Sequence, residues 1–302
     1  MACAHLVLLR LICKLFVMKK LNRLVVILFL LTVNGYNLCA QEIKLMSYNI
    51  RLDVASDGEN RWDARKDKVA GLMNYYEADF IGAQEVQHHQ LKYLSENLEG
   101  YAYIGVGRDD GKEAGEYSCI FYKKEKFEAV VQSTFWLSPT PDSVSFGWDA
   151  VCRRVCTYGL FREKTKNTLF WVFNTHLDHI GQTARLESVK LINRKINQYN
   201  FKNSPVILMG DFNSKPGDAP ERYTDSLMKN ARNASLSPAY GPADTWNAFK
   251  FNTKPEGCID YIFTSPGKKI SVLKFATITD SYDMKYPSDH FPVMATIKMN
   301  KD

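Results

Sequence analysis

The chain has 302 residues, of which 45% are hydrophobic, 13% aromatic and 24% charged. That composition fits one large globular domain, or at most two, and excludes a disordered, collagen-like or disulfide-dense chain. The formal charge of +6 misleads, because residues 1–40 hold five cations (Arg10, Lys14, Lys19, Lys20, Arg23) and no Asp or Glu. Residues 41–302 carry 34 Lys and Arg against 33 Asp and Glu, a net +1. A strongly basic nucleic-acid-binding body is thereby excluded, while a local basic groove is not.

Lys19, Lys20 and Arg23 stand just before the apolar run LVVILFLL (residues 24–31), which Asn34 and Gly35 break and Leu38-Cys39-Ala40 follows. A charged start, a short apolar stretch and a small residue before Gln41 read as a secretory signal peptide over residues 1–40. The expected location is therefore secreted or periplasmic. The run is too short for an ordinary membrane span, so none is expected once the leader is removed; an uncleaved anchor is the alternative. Met18, which opens MKKLNR, makes a better start than Met1. Leu38 immediately before Cys39 argues against a lipid anchor there. Export would leave Cys119, Cys152, Cys156 and Cys258 in a compartment that permits disulfides, with connectivity unspecified. Cys152 and Cys156 are expected on one strand, about 13 Å apart, too far to bond each other. No Cys-x-x-Cys supports structural zinc, and four free thiols is the plainer expectation.

Along the mature chain, Ile43–Ile50 predicts a strand and Asp63–Tyr76 a helix, with Val69, Leu72, Met73 and Tyr76 on one face. Phe80–Ala83 predicts a short buried strand, and Gln87–Leu98 a second helix ended by Gly100. Strand-like runs follow at Tyr101–Val106, Tyr117–Tyr122, Phe127–Leu137, Val155–Phe161 and Leu169–Asn174. Gln182–Tyr199 predicts a helix whose Val189, Ile192, Ile196 and Tyr199 share a face. Val206–Met209, Cys258–Thr264, Ile270–Thr277 and Phe291–Lys298 complete the strands. Strands outnumber helices and both are spread along the chain, which favours packed sheets with helices outside. No repeat or linker divides residues 41–302, so one domain is expected.

Polar, ligand-capable residues recur where apolar strands end: Ser47-Tyr48-Asn49, Gln84-Glu85, Asn174-Thr175-His176-Leu177-Asp178, Gly210-Asp211-Phe212-Asn213, Asp260, and Ser288-Asp289-His290. A strand end is a rigid place to build a site. Glu85, Asp211, Asp289, Asn49 and Asn213 are hard oxygen ligands suited to Mg²⁺, Mn²⁺ or Ca²⁺. His176 and His290 suit general acid and base roles, and Asp260 could orient an imidazole. A hard metal beside two histidines is apparatus for hydrolysing a phosphate ester. Each piece alone also reads as a capped turn or a satisfied polar residue; six in one chain are harder to dismiss.

The ordered series SYNIR (47–51), AQEV (83–86), NTHLD (174–178), GDFN (210–213), GCIDYIF (257–263) and SDHFPV (288–293) resembles the endonuclease/exonuclease/phosphatase family over essentially all of residues 43–297. The resemblance implies an α/β (α+β) four-layer αββα sandwich, with two mostly antiparallel sheets face to face and helices outside. It also implies metal-dependent phosphoesterase chemistry, with Mg²⁺ the expected cofactor and in-line attack by activated water. By motif, Glu85 resembles the principal metal ligand, with Asn49 and Asp289 helping to hold the metal or its water. Asp211 and Asn213 resemble the pair that orients the nucleophile and binds the scissile phosphate. His176 resembles the histidine on a phosphate oxygen or the leaving group, with Asp260 as its partner. His290 resembles the histidine that binds phosphate or acts as base.

Residues 105–158 are similar to a group of secreted bacterial members. There, Glu116 and Tyr117 are expected to face the cleft, and Arg108 and Arg154 to grip a substrate phosphate bidentately. Their alternatives are a solvated loop cation and an edge-strand surface charge. Trp148 and Trp246 could stack on a base or sugar, or simply pack. His179 is expected to be exposed. The substrate is a phosphate ester, either nucleic acid or a small molecule, and the protein is expected to act as a monomer. Near-neutral charge tells against non-specific duplex binding, and Gln87 stands where many deoxyribonuclease-like members carry Arg. Alternatives are a sphingomyelinase-like lipid phosphodiesterase, for which only Trp246–Phe251 suggests membrane contact, and an inactive binding module on the same fold.

Overall fold

The computed structural model describes residues 42–300. The leader reading, with Met18 and Cys39, lies outside the described residues. In chain order the elements are β1 (Glu42–Asn49), a 3-10 turn (Ala55–Asn60), α1 (Trp62–Tyr76), β2 (Phe80–Val86), α2 (His88–Asn97), β3 (Tyr101–Ile104), β4 (Tyr117–Lys123) and β5 (Phe127–Trp136). There follow β6 (Val155–Glu163), β7 (Leu169–His176), α3 (Gln182–Tyr199), β8 (Val206–Asp211), α4 (Ala219–Asp225), β9 (Lys229–Asn230), α5 (Ala231–Ala234), β10 (Asp260–Thr264), β11 (Ile270–Thr277) and β12 (Val293–Met299).

The strands form two six-stranded sheets, ordered β11-β12-β1-β2-β4-β3 and β5-β6-β7-β8-β10-β9. Each sheet is antiparallel except for one central parallel pair, β1 with β2 and β7 with β8. Each parallel pair is joined by a crossover that carries a helix, α1 in one case and α3 in the other, as parallel strands require. Period-2 alternation then sorts side chains into layers. On β8, Ile207 and Met209 meet Leu45, Phe80, Ile120 and Val172 between the sheets, while Val206 and Leu208 turn outward to Val189, Ile192 and Ile196 of α3. Across the other sheet, Val69, Leu72 and Met73 of α1 pack on Met46, Ile81 and Phe121, with Leu91 and Leu94 of α2. The result is the four-layer sandwich, helices outside two facing sheets. Each large apolar side chain buried this way contributes roughly 1.5–3 kcal/mol.

The sheets are also bolted by polar contacts. Asn174 on β7 crosses to the other sheet, where its Nδ2 donates to the carbonyls of Ala83 (3.0 Å) and Cys119 (2.8 Å) and its Oδ1 accepts from Gln84 Nε2 at 2.7 Å. Gly82 makes room for this, since a Cβ there would lie 2.7 Å from Asn174 Oδ1.

Strands β2, β7 and β8 run further than their apolar runs, because ladder pairing continues through the polar residues at their ends. The final strand starts at Val293 rather than Phe291, after Pro292, which has no N–H to give to a ladder. Helix α4 has only seven residues, too few for a periodic signal. Cys152 precedes β6 instead of lying on it with Cys156, and Cys119, Cys152, Cys156 and Cys258 are all free thiols.

Candidate active site

The carboxyl ends of the two parallel pairs converge on one cleft of about 780 Å³, the position where ligands bind on sheets of this kind. β1 ends in Asn49, β2 carries Glu85, β7 ends in His176 and β8 in Asp211. β10 runs back beside β8 with Asp260 directly opposite Asp211, and Ser288, Asp289 and His290 lead into β12. Ser288 anchors that segment by donating to the Asn49 carbonyl at 2.7 Å.

Backbone strain marks the site. Glu85 has φ +61°, Asn213 +44° and Arg51 +59°, all in the left-handed region that side chains other than glycine adopt at a cost. At Glu85 the register of β2 against β4 shifts between Ala83 and Val86, and such an irregularity re-aims a side chain.

Two carboxylates, Glu85 and Asp289, form one half of the site. Arg51 Nη1 lies 3.8 Å from each, and its Nε and Nη2 bind Asp57 at 2.9 Å. Glu85 Oε2 also accepts from the Leu52 N–H at 3.1 Å. Burial drives the Glu85 carboxyl upward, but the Asn49 hydrogen bond, His290, Arg51 and that N–H outweigh it and hold its pKa below the usual range. Asp289 is pushed up by burial and by Glu85, against His290 and Arg51.

Asn49, expected to help hold the metal or its water, lies beside Glu85 and also links the two halves of the site. Its Oδ1 accepts from the Arg51 N–H at 3.0 Å, so its Nδ2 points at Glu85 (2.9 Å) and Asp211 (3.0 Å) and ties them together.

Asp211 is the centre of the other half. Its Oδ2 lies 3.4 Å from His176 Nε2 and 3.9 Å from His290 Nε2, and its Oδ1 accepts from the Asn213 N–H at 2.8 Å. Burial and the neighbouring Asp260 raise its pKa to about 7. Asp260 pairs with His290, not with His176 as its motif suggested: Oδ2 is 2.9 Å from His290 Nδ1 and accepts from Thr245 Oγ1 at 2.5 Å. Burial opposes the charged imidazole of His290, but Asp260, Asp289 and Asp211 together raise its pKa well above the usual value. His176 behaves oppositely. Burial, Arg154, Arg108 and His290 hold it neutral, and Asn213 Nδ2 lies 3.0 Å from its Nε2.

Glu116, Arg108 and Arg154 line the same cleft, but Tyr117 does not. Successive residues of β4 face opposite ways, and Tyr117 joins Cys119 and Phe121 under the helices, where its hydroxyl donates to the Lys112 carbonyl at 2.9 Å. The Arg108 fork is already taken by Glu116, at 2.8 and 2.6 Å. Arg154 is buried rather than an edge-strand surface charge. Trp246 stands at the cleft, half-exposed, whereas Trp148 packs against the α3 side of the core. His179 is exposed as expected, yet it lines the cleft. Arg51, Asp57 and Thr245 escaped the sequence reading. Arg51 had a signal, its place in SYNIR beside Asn49; Thr245 had none.

The donor set fits a hard divalent ion. Asp289 is buried and Glu85 partly so; burial and then the charge of Glu85 raise Asp289, and a cation held by the two would remove that penalty. Asp211, Asp260 and His290 also bring one donor atom each within 4.8 Å of one another, with Nδ1 of the imidazole already bonded to Asp260.

Residues 46–290 match the Endonuclease/Exonuclease/phosphatase family. The chain is similar, at 38% identity and a TM-score of 0.82, to the crystal structure of a family protein from Bacteroides thetaiotaomicron, covering 87% of this chain and 99% of that one. It is similar at 39% identity and a TM-score of 0.80 to the mannosyl-6-phosphatase of Bacteroides thetaiotaomicron VPI-5482, over 84% of this chain and 99% of that one. Among curated proteins it is 25% identical over 331 residues to Carbon catabolite repressor protein 4 homolog 4 of Arabidopsis thaliana, covering 86% of this chain and 78% of that protein. With the motif residues gathered in one cleft of the matching fold, the chain belongs to the endonuclease/exonuclease/phosphatase family of hydrolases.

Proposed function

We propose that the protein is an exported, Mg²⁺-dependent phosphoesterase that hydrolyses a small phosphate ester, a sugar phosphate by preference, and not a long nucleic acid. The observation that carries this reading is the cleft. Its volume of about 780 Å³ is that of a small-molecule site. The net charge of +1 over residues 41–302 offers little attraction for a polyanion. The likeness to a mannosyl-6-phosphatase supports a sugar phosphate, and the leader-like residues 1–40 support export.

The chemistry follows from the two halves of the site. Glu85 and Asp289 would hold a divalent ion, which when bound would neutralise the charge of the phosphate. Asp211, with a pKa near neutrality, takes the proton of the attacking water, the condition under which a general base works best. As the water oxygen bonds to phosphorus and the ester P–O bond breaks, the charged His290 stabilises the oxygens that gain charge, and the departing alkoxide takes up a proton from solvent. Asp260 keeps His290 protonated and oriented. Neutral His176 holds the Asn213 amide in place.

The test is a hydrolysis panel on purified protein with Mg²⁺, setting mannose 6-phosphate and glucose 6-phosphate beside duplex and single-stranded DNA and RNA. Phosphate release from the sugar esters, lost in His290→Ala and silenced reversibly by EDTA, is the expected result. Cleavage of nucleic acid without turnover of the small esters would overturn the reading.

A further inference from the structure

Arg154 and His179 form a pair whose only part in the chemistry at Asp211 is the charge by which Arg154 helps to keep His176 neutral. Arg154 stands immediately before β6, and β6 pairs with β7 so that Cys156 lies opposite Thr175. Arg154 therefore sits beside the strand end that carries His176. Its side chain is only 6% exposed, yet its guanidinium is largely unspent. Nη2 lies 3.1 Å from His179 Nδ1, while Nε and Nη1 have no hydrogen-bond partner. The nearest carboxylate, Asp178, is 3.7 Å from Nε and is already engaged by the backbone N–H groups of Val151, Ile180 and Gly181 at 3.2, 3.0 and 2.7 Å.

A guanidinium can only donate, so His179 Nδ1 is the acceptor and its ring proton sits on Nε2. His179 is exposed and lines the cleft, which leaves that N–H free for a ligand there. Arg108 differs, because Glu116 balances its charge through both terminal nitrogens. A buried cation with unspent donors is costly unless a ligand completes it. A charged substrate oxygen is the kind of partner that would complete it.

We propose that Arg154 and His179 form a subsite for the second negative charge of a terminal phosphate, so that the enzyme selects phosphomonoesters over phosphodiesters. The inference rests on the functional reading above and deepens it. A monoester at neutral pH carries close to two charges, whereas a diester carries one and presents an alkylated oxygen in its place. A site built to bond a charged oxygen rejects the analogue that lacks it, since its own buried donors are left unpaired.

The experiment compares phenyl phosphate with methyl phenyl phosphate, with Mg²⁺, at about pH 8, where the monoester holds its second charge. The wild type is expected to prefer the monoester. Arg154→Gln is expected to lower kcat/KM for the monoester about 100-fold and for the diester far less, so that the preference falls roughly thirtyfold. His179→Ala, at an exposed position where folding is not at stake, is expected to lower the preference about tenfold. Equal losses on both esters, or a preference untouched in His179→Ala, would overturn the subsite. Calorimetric binding of phenylphosphonate and its monomethyl ester reads the same subsite without turnover. A preference for the dianion in the wild type that collapses in both variants supports it, and one retained in His179→Ala and Arg154→Gln overturns it. Should neither ester be hydrolysed while the binding preference stands, the functional reading fails and the subsite survives.

Discussion

Asp260 Oδ2 lies 2.9 Å from His290 Nδ1, thirty residues away in the chain, and the same oxygen accepts from Thr245. This contact holds the imidazole charged against the burial that would neutralise it. Asp260→Asn is expected to lower kcat about 100-fold, the scale of a lost orienting partner. It also lowers the His290 pKa, so the alkaline limb of the pH–rate profile moves to lower pH. The acid limb reports Asp211, whose pKa of about 7 makes activity rise with pH as the base sheds its proton; a bound cation moves that limb downward. An alkaline limb unmoved in Asp260→Asn would show that Asp260 does not control the charge on His290.

Metal binding has its own readout. Mg²⁺ is expected to raise the unfolding temperature of the wild type, because a ligand at 100 times its Kd adds about 2.7 kcal/mol. Glu85→Gln and Asp289→Asn should lose most of that shift along with activity. Equal shifts in all three proteins would place the ion elsewhere.

Glu85 offers a test of stored strain. At its φ of +61° alanine is strained and glycine is not. Both Glu85→Ala and Glu85→Gly should be inactive, yet the glycine variant should be the more stable by about 1 kcal/mol. That corresponds to roughly 2–4 °C in Tm for a chain of this size. Thermal unfolding without metal decides it, and an alanine variant at least as stable would mean that the bulge relaxes once the side chain is gone.

Arg65, 3% exposed, braces the site from behind. Its guanidinium donates to the carbonyls of Ile50, Arg51 (2.6 Å) and Leu52 (3.4 Å) after β1, and to Pro287 (3.2 Å) before Asp289. It thus joins the loop that donates to Glu85 and the segment that carries Asp289. Arg65→Met should destabilise by about 3–5 kcal/mol through the carbonyls left unpaired. Arg65→Lys, which keeps the charge but not the fork, should fold and require more Mg²⁺ for half-maximal activity. Denaturant unfolding and a Mg²⁺ titration of the two variants measure both effects.

Gly82→Ala tests the bolt between the sheets. The added Cβ would meet Asn174 Oδ1 at 2.7 Å and Met209 Cγ at 2.9 Å, both held by buried surroundings, so a loss of about 1–3 kcal/mol is expected. Chemical denaturation measures it, and a neutral result would mean that Asn174 repacks freely.

The sequence by itself determined most of the local elements and which polar residues stand at the strand ends. Helix α3 spans Gln182–Tyr199, as its apolar spacing dictates, and β11 spans Ile270–Thr277, because these periodicities are set by neighbours a few residues away. The ordered polar strand ends carried the family and most of the residues that the fold gathers at the cleft. The tertiary structure decided the partnerships. Asp260 meets His290 and not His176 because the β8–β10 register sets it opposite Asp211, and no local pattern encodes register between distant strands. The outward turn of Tyr117 beside the inward Glu116, the Arg108 fork spent on Glu116, and the amide of Asn49 aimed at Glu85 and Asp211 are likewise packing outcomes. Each depends on which groups arrive from other strands and loops, so only the folded chain specifies it.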